Sequence, residues 1–322
     1  MRKPERTLHP DDLLHTQDLL RRGVVPWDEA RRNTSTLRRV RRGSYVEESR
    51  WAELGDENRF RALVVCTYES MRSTPRPPAC LYAAAVLWEL PILGSWPNHV
   101  DVVTDSNASG GSRLIRRHRV AAVPAPVDVR GIPATAVPRT VVDLARSGDL
   151  ATGLVTADAA LHAHKCTLEE LDAEVAAIPA GASGRRRAAL AIRLADGRSE
   201  SPGESLSRAR IFELGFAQPD LQVPLVDGRG LFGYSDFGWE HQRGEFDGEV
   251  KYDDPDVLWQ EKQREDRARR AGEPSTRWVW RDAYRGTELR AILTTAGMPR
   301  SRAQWRRWDP VRQPIRTDTN FH

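Results

Sequence analysis

The chain of 322 residues carries 49 basic and 45 acidic side chains, a formal net charge of +4, and 39% of its residues are hydrophobic. This length favours two or three domains with their own cores, and the balanced charge excludes a polycationic or polyanionic protein. Three widely spaced cysteines without a CxxC pair argue against a disulfide framework or a zinc site and favour a reducing compartment. No apolar run reaches the roughly 18 residues that span a membrane. We therefore expect a cytoplasmic protein that does not enter a membrane.

Residues 10–50 predict a winged helix-turn-helix domain. HTQDLLRRG ends on Gly23 as a helix does, PWDEARRNT begins with Pro26 and acids in its first turn, and LRRVRRGSYV alternates around a turn at Gly43. In a winged helix, one helix enters the major groove while a basic hairpin neutralises flanking phosphates. The alternative is a solvated face of an Arg-rich protein. The segment from 31 to 42 contains no acid and six candidate DNA-binding residues: Arg31, Arg32, Arg38, Arg39, Arg41 and Arg42.

Residues 55–177 predict a mixed α/β middle domain. CLYAAAVLWEL is typical of an apolar helix that stops before Pro91, HVDVVT of a strand, and RTVVDLARSG and LVTADAALHAH of helices. This pattern indicates a scaffold and names no chemistry. A stretch rich in Pro, Gly and Ser follows, so we place the start of the next domain near residue 185.

Residues 185–298 predict a third domain of α/β type, and residues 299–322 a polar tail. SPGESLSRARIFELG has the start and stop signals of a helix. DLQVPLV, LFGYSDFGW and GEFDGEVKY predict three consecutive strands, after which VLWQEKQREDRARRAG predicts a helix, RWVW a fourth strand and RGTELRAIL a last helix. The fold class expected for the whole chain is therefore multidomain α/β.

Like charges gather on one face of the third predicted strand of this domain. Its period-two alternation places Glu245, Asp247, Glu249 and Lys251 on that face. If the preceding turn runs through residues 240 and 241, positions whose numbers sum to 481 face each other, and Asp236 lies directly opposite Glu245. Two carboxylates opposed at about 4 Å repel each other by roughly 1 kcal/mol in water and by about 4 kcal/mol at an effective dielectric near 20. The pair therefore needs a compensating charge.

A divalent cation would turn this repulsion into attraction. Mg²⁺ prefers carboxylate oxygens and commonly takes one or two of them, with waters and a substrate phosphate completing its coordination shell. Bound Mg²⁺ or Mn²⁺ can polarise a phosphoryl oxygen and lower the pKa of an attacking water. Lys251, on the same face, could orient that water or offset charge that develops on the phosphate. The pattern predicts a divalent-cation site between Asp236 and Glu245, which could act on a phosphate group.

The order of these motifs resembles a known nuclease superfamily. A helix with Glu204, a strand with Asp236, a strand with Glu245-Phe246-Asp247, and then a helix and a strand are similar to the PD-(D/E)xK, or restriction-endonuclease-like, fold. More specifically, they resemble the group related to very-short-patch-repair endonucleases, in which a strand Asp precedes an E-x-D-G element. The whole chain resembles actinobacterial proteins with an AbiEi-family antitoxin domain, through the winged-helix segment and GIPATAVPRTVVDLARSG.

The resemblance implies catalytic roles for five residues. Asp236 and Glu245 would bind the metal, and Glu204 would add an acid from the leading helix. Asp247 stands where many relatives have Lys. Lys251 would then supply the missing cation from four residues further along the chain.

Other interpretations of these residues stay open. A different alignment takes Glu249 and Lys251 as the E-x-K element, although the register places Glu249 opposite Phe232, two residue pairs from the strand Asp. Glu204 completes a capping box with Ser201, which explains it without catalysis. The facing carboxylates could be ordinary polar side chains of a sheet with one wet face, and the Asp-Gly pair that follows could form a bulge or a turn.

The sequence thus predicts a DNA-binding protein whose C-terminal domain is a Mg²⁺-dependent endonuclease. The resemblance implies a setting in phage defence or in a toxin–antitoxin system, with double-stranded DNA and a cognate toxin as partners. A homodimer would suit cleavage of both DNA strands. The alternative is a non-catalytic antitoxin or transcriptional regulator that keeps the nuclease fold as a scaffold.

Overall fold

The computed structural model describes residues 7–26, 36–105, 113–248 and 255–301. The chain divides into two compact units, residues 1–143 and 144–322. Each unit contains both helices and strands, which confirms the expected α/β composition. The division differs from the predicted boundaries, because residues 144–177, expected in the middle domain, belong to the second unit. None of the described helices is long and apolar enough to cross a membrane.

The first unit opens with a small antiparallel sheet, continues through helices and ends with two short strand pairs. A helix follows its first strand and a hairpin turns at Gly43, as the sequence predicts. After a 3₁₀ turn (Pro10–Asp12), its elements are β1 (Leu14–His15), α1 (Thr16–Arg21), β2 (Leu37–Arg41), β3 (Ser44–Glu47), α2 (Glu48–Glu53), α3 (Asp56–Ser70), α4 (Leu81–Leu87), β4 (Val100–Thr104), β5 (Ile115–Arg119), β6 (Val127–Val129), β7 (Ile132–Ala134) and, across the unit boundary, α5 (Val137–Ser147).

The hairpin of β2 and β3 packs against α1. The sheet has the order β1-β3-β2, and Leu19 of α1, Leu37 of β2 and Tyr45 of β3 form one buried cluster. Burial of these side chains stabilises the hairpin. Arg39 and Arg42 of the hairpin are exposed to solvent. The structure does not describe residues 27–35, where the sequence predicts the rest of the helix that begins at Pro26. The helix-turn-helix geometry therefore stays a prediction.

The second unit surrounds a four-stranded sheet with helices. The strands and helices predicted from residue 201 onward occur in the expected order. Its elements after α5 are α6 (Leu150–His162), α7 (Leu168–Ala177), α8 (Arg185–Leu194), α9 (Pro202–Glu213), β8 (Asp220–Asp227), β9 (Gly230–Trp239), β10 (Gln242–Asp247), α10 (Pro255–Arg270), β11 (Ser275–Val279), α11 (Trp280–Arg285) and α12 (Thr287–Thr295).

The sheet of the second unit has the strand order β11-β10-β9-β8. β8, β9 and β10 are antiparallel neighbours, whereas β11 pairs in parallel with β10 after the crossover through α10. The β9–β10 turn gives the predicted register, because Gln242 pairs with Trp239 and Gly244 with Phe237, and both pairs sum to 481. The register predicted for the two carboxylates is therefore present in the pairs that precede them.

Helix α9 approaches the sheet closely because glycines leave room for aromatic rings. A Cβ on Gly203 would lie 2.0 Å from the Phe246 ring, and a Cβ on Gly244 would lie 2.5 Å from the Trp278 ring. Trp278 also donates its indole N–H to Ser207 Oγ of α9 at 2.8 Å. These contacts place the start of α9 beside β10, where Phe246 follows the second candidate metal ligand.

A buried ion pair joins α6 to α9. Arg208 Nη1 lies 2.5 Å from Asp158 Oδ2, and the two side chains are 7% and 0% exposed. The Asp196 N–H donates to Asp158 Oδ1 at 2.8 Å, and Arg208 also donates to the Leu194 carbonyl. This pair joins α6 to α9 within the second unit.

Candidate active site

Asp236 reaches across to β10 where the β9–β10 backbone ladder ends. Its Oδ2 accepts a hydrogen bond from the Phe246 N–H at 2.8 Å, and Ser235 Oγ donates to the Gly244 carbonyl at 3.0 Å. Side chains thus continue the pairing beyond the last backbone pair. Glu245 lies between Gly244 and Phe246 and is only 6% exposed. The two carboxylates therefore share one largely buried region.

The environment of Asp236 opposes its ionisation. Burial raises the pKa of Asp236 to about 7, and repulsion from Glu204 and Glu245 adds to the rise. The Phe246 N–H and the nearby Arg264 act in the opposite direction. Two further carboxylates are therefore close enough to influence Asp236, which is the situation that a bound cation relieves.

The free energy of unfolding of the metal-free protein is expected to depend on pH through Asp236. An unfolded Asp loses its proton near pH 4, whereas native Asp236 keeps it until about pH 7. The native state binds more protons between these values, so its stability falls as pH rises through this window. Asp236→Asn removes this pH-dependent loss of stability, and its amide oxygen can still accept from the Phe246 N–H. Urea unfolding in EDTA should show the variant gaining a few kcal/mol on the wild type between about pH 4 and 8, at about 1.4 kcal/mol per pKa unit.

The control for this pH dependence is Glu240→Gln, in the exposed turn of the same hairpin. It is expected to follow the wild type at every pH, because its carboxylate is solvated in both states. A stability difference between wild type and Asp236→Asn that stays constant from acid to alkaline pH would contradict the raised pKa.

Glu245 is held by basic side chains and a hydroxyl. Its Oε2 lies 2.7 Å from Arg277 Nη2 and 3.3 Å from Arg264 Nη2, and its Oε1 accepts from Ser275 Oγ at 3.1 Å. Arg277 faces Glu245 as its register partner in the parallel β10–β11 pair. Neither arginine is recognisable from the sequence as a partner of Glu245, because a parallel neighbour that follows a crossover helix leaves no short-range signal.

Glu204 lies in the first turn of α9 with both carboxylate oxygens occupied. Ser201 Oγ accepts from the Glu204 N–H at 3.2 Å and lies 2.7 Å from Oε1, to which it can donate. The Glu200 N–H donates to Oε2 at 2.9 Å. This geometry fits the capping interpretation, with the reciprocal N–H coming from the residue before the N-cap. Burial raises the pKa of Glu204. Repulsion from the Glu204 carboxylate also raises the pKa of Asp236.

The remaining residues of the predicted charged face are described in part. Asp247 Oδ1 lies 3.4 Å from Arg277 Nη1, so one guanidinium contacts both Asp247 and Glu245. Lys251 and the alternative ligand Glu249 fall outside the described residues, and their roles stay predictions.

A shallow open cleft lies beside Glu245, and together with the solvent space at its mouth it measures about 340 Å³. Arg264 and Arg269 of α10 and Arg277 of β11 line it together with Glu245, so three basic groups and one acidic group give a formal charge of +2. The remaining lining residues are Leu225, Ala268, Pro274 and Ser275. The candidate site thus combines carboxylates with a basic cavity.

The donor set fits a hard divalent cation on one condition. Asp236 and Glu245 offer two carboxylates, the number that Mg²⁺ commonly takes from a protein. Among the described residues, no group of three or more His, Cys, Asp or Glu side chains is arranged to hold a metal ion. Glu245 can act as a ligand only if it gives up part of its contact with Arg264 and Arg277.

Two of the six arginines predicted to bind DNA are engaged within the protein. Arg38 pairs with Glu48 at 2.7 Å, and Arg41 Nη1 donates to the Cys66 carbonyl at 3.4 Å. Burial lowers the pKa of Arg41. The Arg41 guanidinium thus turns toward the protein, and its role in DNA binding stays a prediction. Arg38 donates to both carboxylate oxygens of Glu48, at 2.9 and 2.7 Å, so part of its donor capacity is already used within the protein.

The other four arginines divide into an exposed pair and an undescribed pair. Arg39 of β2 and Arg42 in the hairpin turn are exposed to solvent. Arg31 and Arg32 lie outside the described residues, so their predicted role stands on the sequence alone. Arg39 and Arg42 are therefore the best-placed described candidates for phosphate contacts in this segment.

Two proteins of Mycobacterium tuberculosis are similar to part of this chain. They are uncharacterized protein MT2308 of strain CDC 1551 / Oshkosh and uncharacterized protein Rv2248 of strain ATCC 25618 / H37Rv, each 36% identical over 115 residues. The match covers 36% of this chain and 42% of each relative, so the chain spans less than half the length of these relatives. No family model matches the chain, and no solved structure matches it.

Proposed function

We propose that the protein binds double-stranded DNA and that its second unit is a metal-dependent endonuclease with a restriction-endonuclease-like fold. The main support is the meeting of Asp236 and Glu245 at the end of the β9–β10 ladder, beside a cleft lined by arginines. Carboxylates that repel each other favour a cation, and guanidinium groups favour phosphate. The region therefore offers ligands for a metal ion and donors for a phosphate group, the two requirements of metal-assisted phosphodiester hydrolysis.

Each acidic residue has a distinct role in this proposal. Asp236 and Glu245 hold Mg²⁺ or Mn²⁺, which when bound supplies a polarised phosphoryl oxygen and a water of lowered pKa. Glu204 adds negative charge that makes cation binding at Asp236 more favourable. Asp247 orients the guanidinium that it contacts, and Lys251 offsets charge that develops on the phosphate.

Plasmid cleavage tests the proposed activity. Full-length protein is expected to convert supercoiled plasmid into nicked or linear forms in Mg²⁺ or Mn²⁺, and to leave it intact in EDTA. Product formation that EDTA does not affect, or intact plasmid in both metals, would contradict a metal-dependent endonuclease.

The basic hairpin is proposed to act as the wing that contacts the DNA backbone. Arg39→Ala combined with Arg42→Ala is expected to weaken duplex binding, because each phosphate contact contributes about 0.9 to the slope of log K against log salt. Loss of two contacts should reduce that slope by about 2. Fluorescence anisotropy with labelled duplex across a range of NaCl concentrations measures the change.

The matched control for the wing is Arg38→Ala, since Arg38 already pairs with Glu48. Its effect on the slope should be smaller than that of the double variant. A double variant with the same affinity and salt slope as the wild type would exclude the hairpin from DNA contact.

A non-catalytic antitoxin or transcriptional regulator is the second candidate function, and the pairing of Glu245 favours it. Two guanidiniums and a hydroxyl already satisfy this carboxylate, as in a structural ion-pair cluster. Such a regulator would need the basic hairpin but neither candidate metal ligand. Salt-sensitive duplex binding without cleavage in Mg²⁺ or Mn²⁺ would favour the regulator over the endonuclease.

The proposed setting derives from the resemblance to AbiEi-family antitoxin-domain proteins. We place the protein in the cytoplasm, in phage defence or a toxin–antitoxin system, with a cognate toxin as its protein partner. A homodimer would present two sites to the two strands of a duplex. Light scattering of the protein with and without duplex DNA measures the number of copies in the complex.

A further inference from the structure

The cleft beside β10 contains more positive than negative charge. The side chains of Arg264, Arg269 and Arg277 line it with a single carboxylate. Just outside this lining, Asp247 lies 3.4 Å from Arg277, and Asp266 lies 3.9 Å from Arg269, whose side chain is 66% exposed. The Arg269–Asp266 pair is exposed to solvent and is therefore weak. Among the side chains that line the cleft, guanidiniums outnumber carboxylates, which favours the binding of a further anion.

The fold holds two of these guanidiniums in position. Arg264 Nη1 donates to the Tyr234 carbonyl at 3.0 Å while its Nη2 faces Glu245. Arg277 projects from β11 with its Nη2 2.7 Å from Glu245 and its Nη1 3.4 Å from Asp247. A guanidinium held in this way loses little further freedom when it binds an anion through two parallel N–H groups.

We propose that the cleft is a binding site for a phosphate group of the nucleic acid. Arg264, Arg269 and Arg277 are its N–H donors, and Ser275 Oγ is a further donor. The phosphate takes over guanidinium donors that otherwise hold Glu245, and this carboxylate would then be available as a metal ligand. This inference rests on the proposed function for the identity of the ligand, and it names the residues that recognise the substrate.

Phosphate suits the cleft better than a carboxylate does. Its several oxygens point in tetrahedral directions, so one group can accept from Arg264, Arg269 and Arg277 at the same time. A carboxylate presents only two oxygens in one plane. The apolar walls formed by Leu225, Ala268 and Pro274 lower the local dielectric and strengthen the attraction.

A phosphate titration tests the site without metal or cleavage. Inorganic phosphate, followed by ³¹P NMR in EDTA at constant ionic strength, is expected to bind the full-length protein saturably. Arg264→Met and Arg277→Met should each raise the Kd about tenfold, the scale of one charge-assisted hydrogen bond. Arg277→Lys should give an intermediate value, because it keeps the charge and loses the planar fork.

The matched control is Arg290→Met, an exposed arginine of α12 outside the cleft, which should bind phosphate like the wild type. If circular dichroism shows that Arg277→Met does not fold, Arg269→Met replaces it, since that side chain is mostly exposed. Equal phosphate affinity in the wild type and the folded cleft variants would overturn the proposal.

Two sources of the phosphate are distinguished with oligonucleotides of one sequence that carry either a 5′-phosphate or a 5′-hydroxyl. If the cleft takes a terminal phosphate, the wild type binds the 5′-phosphorylated strand more tightly and Arg277→Met abolishes the difference. If it takes an internal phosphodiester, both strands bind alike and both lose affinity in the variant. Affinity for both strands that Arg277→Met leaves unchanged would reject the site.

Failure of this inference is distinct from failure of the proposed function. Metal-dependent cleavage together with phosphate binding that ignores Arg264 and Arg277 would leave the endonuclease in place and remove the phosphate site. Phosphate binding that depends on both arginines, without cleavage in any metal, would retain the site and remove the endonuclease.

Discussion

Asp236→Asn and Glu245→Gln are each expected to slow metal-dependent DNA cleavage by on the order of 100-fold or more. Each substitution removes one of two anionic ligands and nearly preserves the volume of the side chain. The amide oxygen at position 236 can still accept from the Phe246 N–H, so the strand pairing is kept. A 100-fold loss corresponds to about 2.7 kcal/mol in the activation free energy, within the range that a catalytic metal supplies. The initial rate of plasmid nicking in Mg²⁺ measures it.

Glu240→Gln is the matched control for this loss of activity. Glu240 lies in the turn of the same β9–β10 hairpin with its side chain 88% exposed, so its amide variant should nick plasmid like the wild type. Nicking by Asp236→Asn or Glu245→Gln at rates within about threefold of the wild type would remove these residues from the active site.

Arg208→Met is expected to lower the free energy of unfolding by about 3–5 kcal/mol. The substitution leaves Asp158 buried without its partner, and removing one member of a buried pair exposes the full desolvation cost of the other. It also removes the donor to the Leu194 carbonyl. Urea unfolding at neutral pH, followed by circular dichroism, measures the change.

The double variant Arg208→Met with Asp158→Leu separates charge from packing. Because it buries no unpaired charge, it should be clearly more stable than Arg208→Met alone. Asp18→Asn, which breaks an exposed pair with Arg21, should change stability by no more than about 0.5 kcal/mol. A loss below about 1 kcal/mol in Arg208→Met would show that the buried pair contributes little.

The strands of the second unit are predictable because their signals are local. Alternation of apolar and charged residues marks each strand, and the turn after Trp239 fixes the register of β10 on β9. This short-range information is enough to predict that Asp236 and Glu245 lie on neighbouring strands near the same turn. The hairpin at Gly43 follows from the same kind of signal.

The partners of Glu245 are not predictable from such local patterns. Arg277 reaches Glu245 through a parallel strand pair that forms only after α10 has crossed over. Arg264 lies on a helix whose charges look like ordinary i to i+4 pairs in the sequence. Both contacts join residues that are far apart in sequence, since Arg264 lies 19 positions after Glu245 and Arg277 lies further along still.

The direction of individual side chains and the unit boundary also escape the sequence. Arg41 belongs to the basic run of the hairpin, but the strand register shifts between Arg39 and Arg41, and the Arg41 guanidinium donates to the Cys66 carbonyl. Helix α6 was placed with the middle domain because it is close in sequence, whereas its buried Asp158 joins it to Arg208 of α9. Such packing choices depend on partners that lie far away along the chain.

Binding of Mn²⁺ to the full-length protein, followed by electron paramagnetic resonance, tests most directly whether Asp236 and Glu245 hold a divalent cation. The expected result is saturable binding in the wild type and in Glu240→Gln, and a Kd raised at least about tenfold in both Asp236→Asn and Glu245→Gln. The same Mn²⁺ affinity in all four proteins would contradict the metal site and leave the carboxylates as parts of a structural ion-pair cluster.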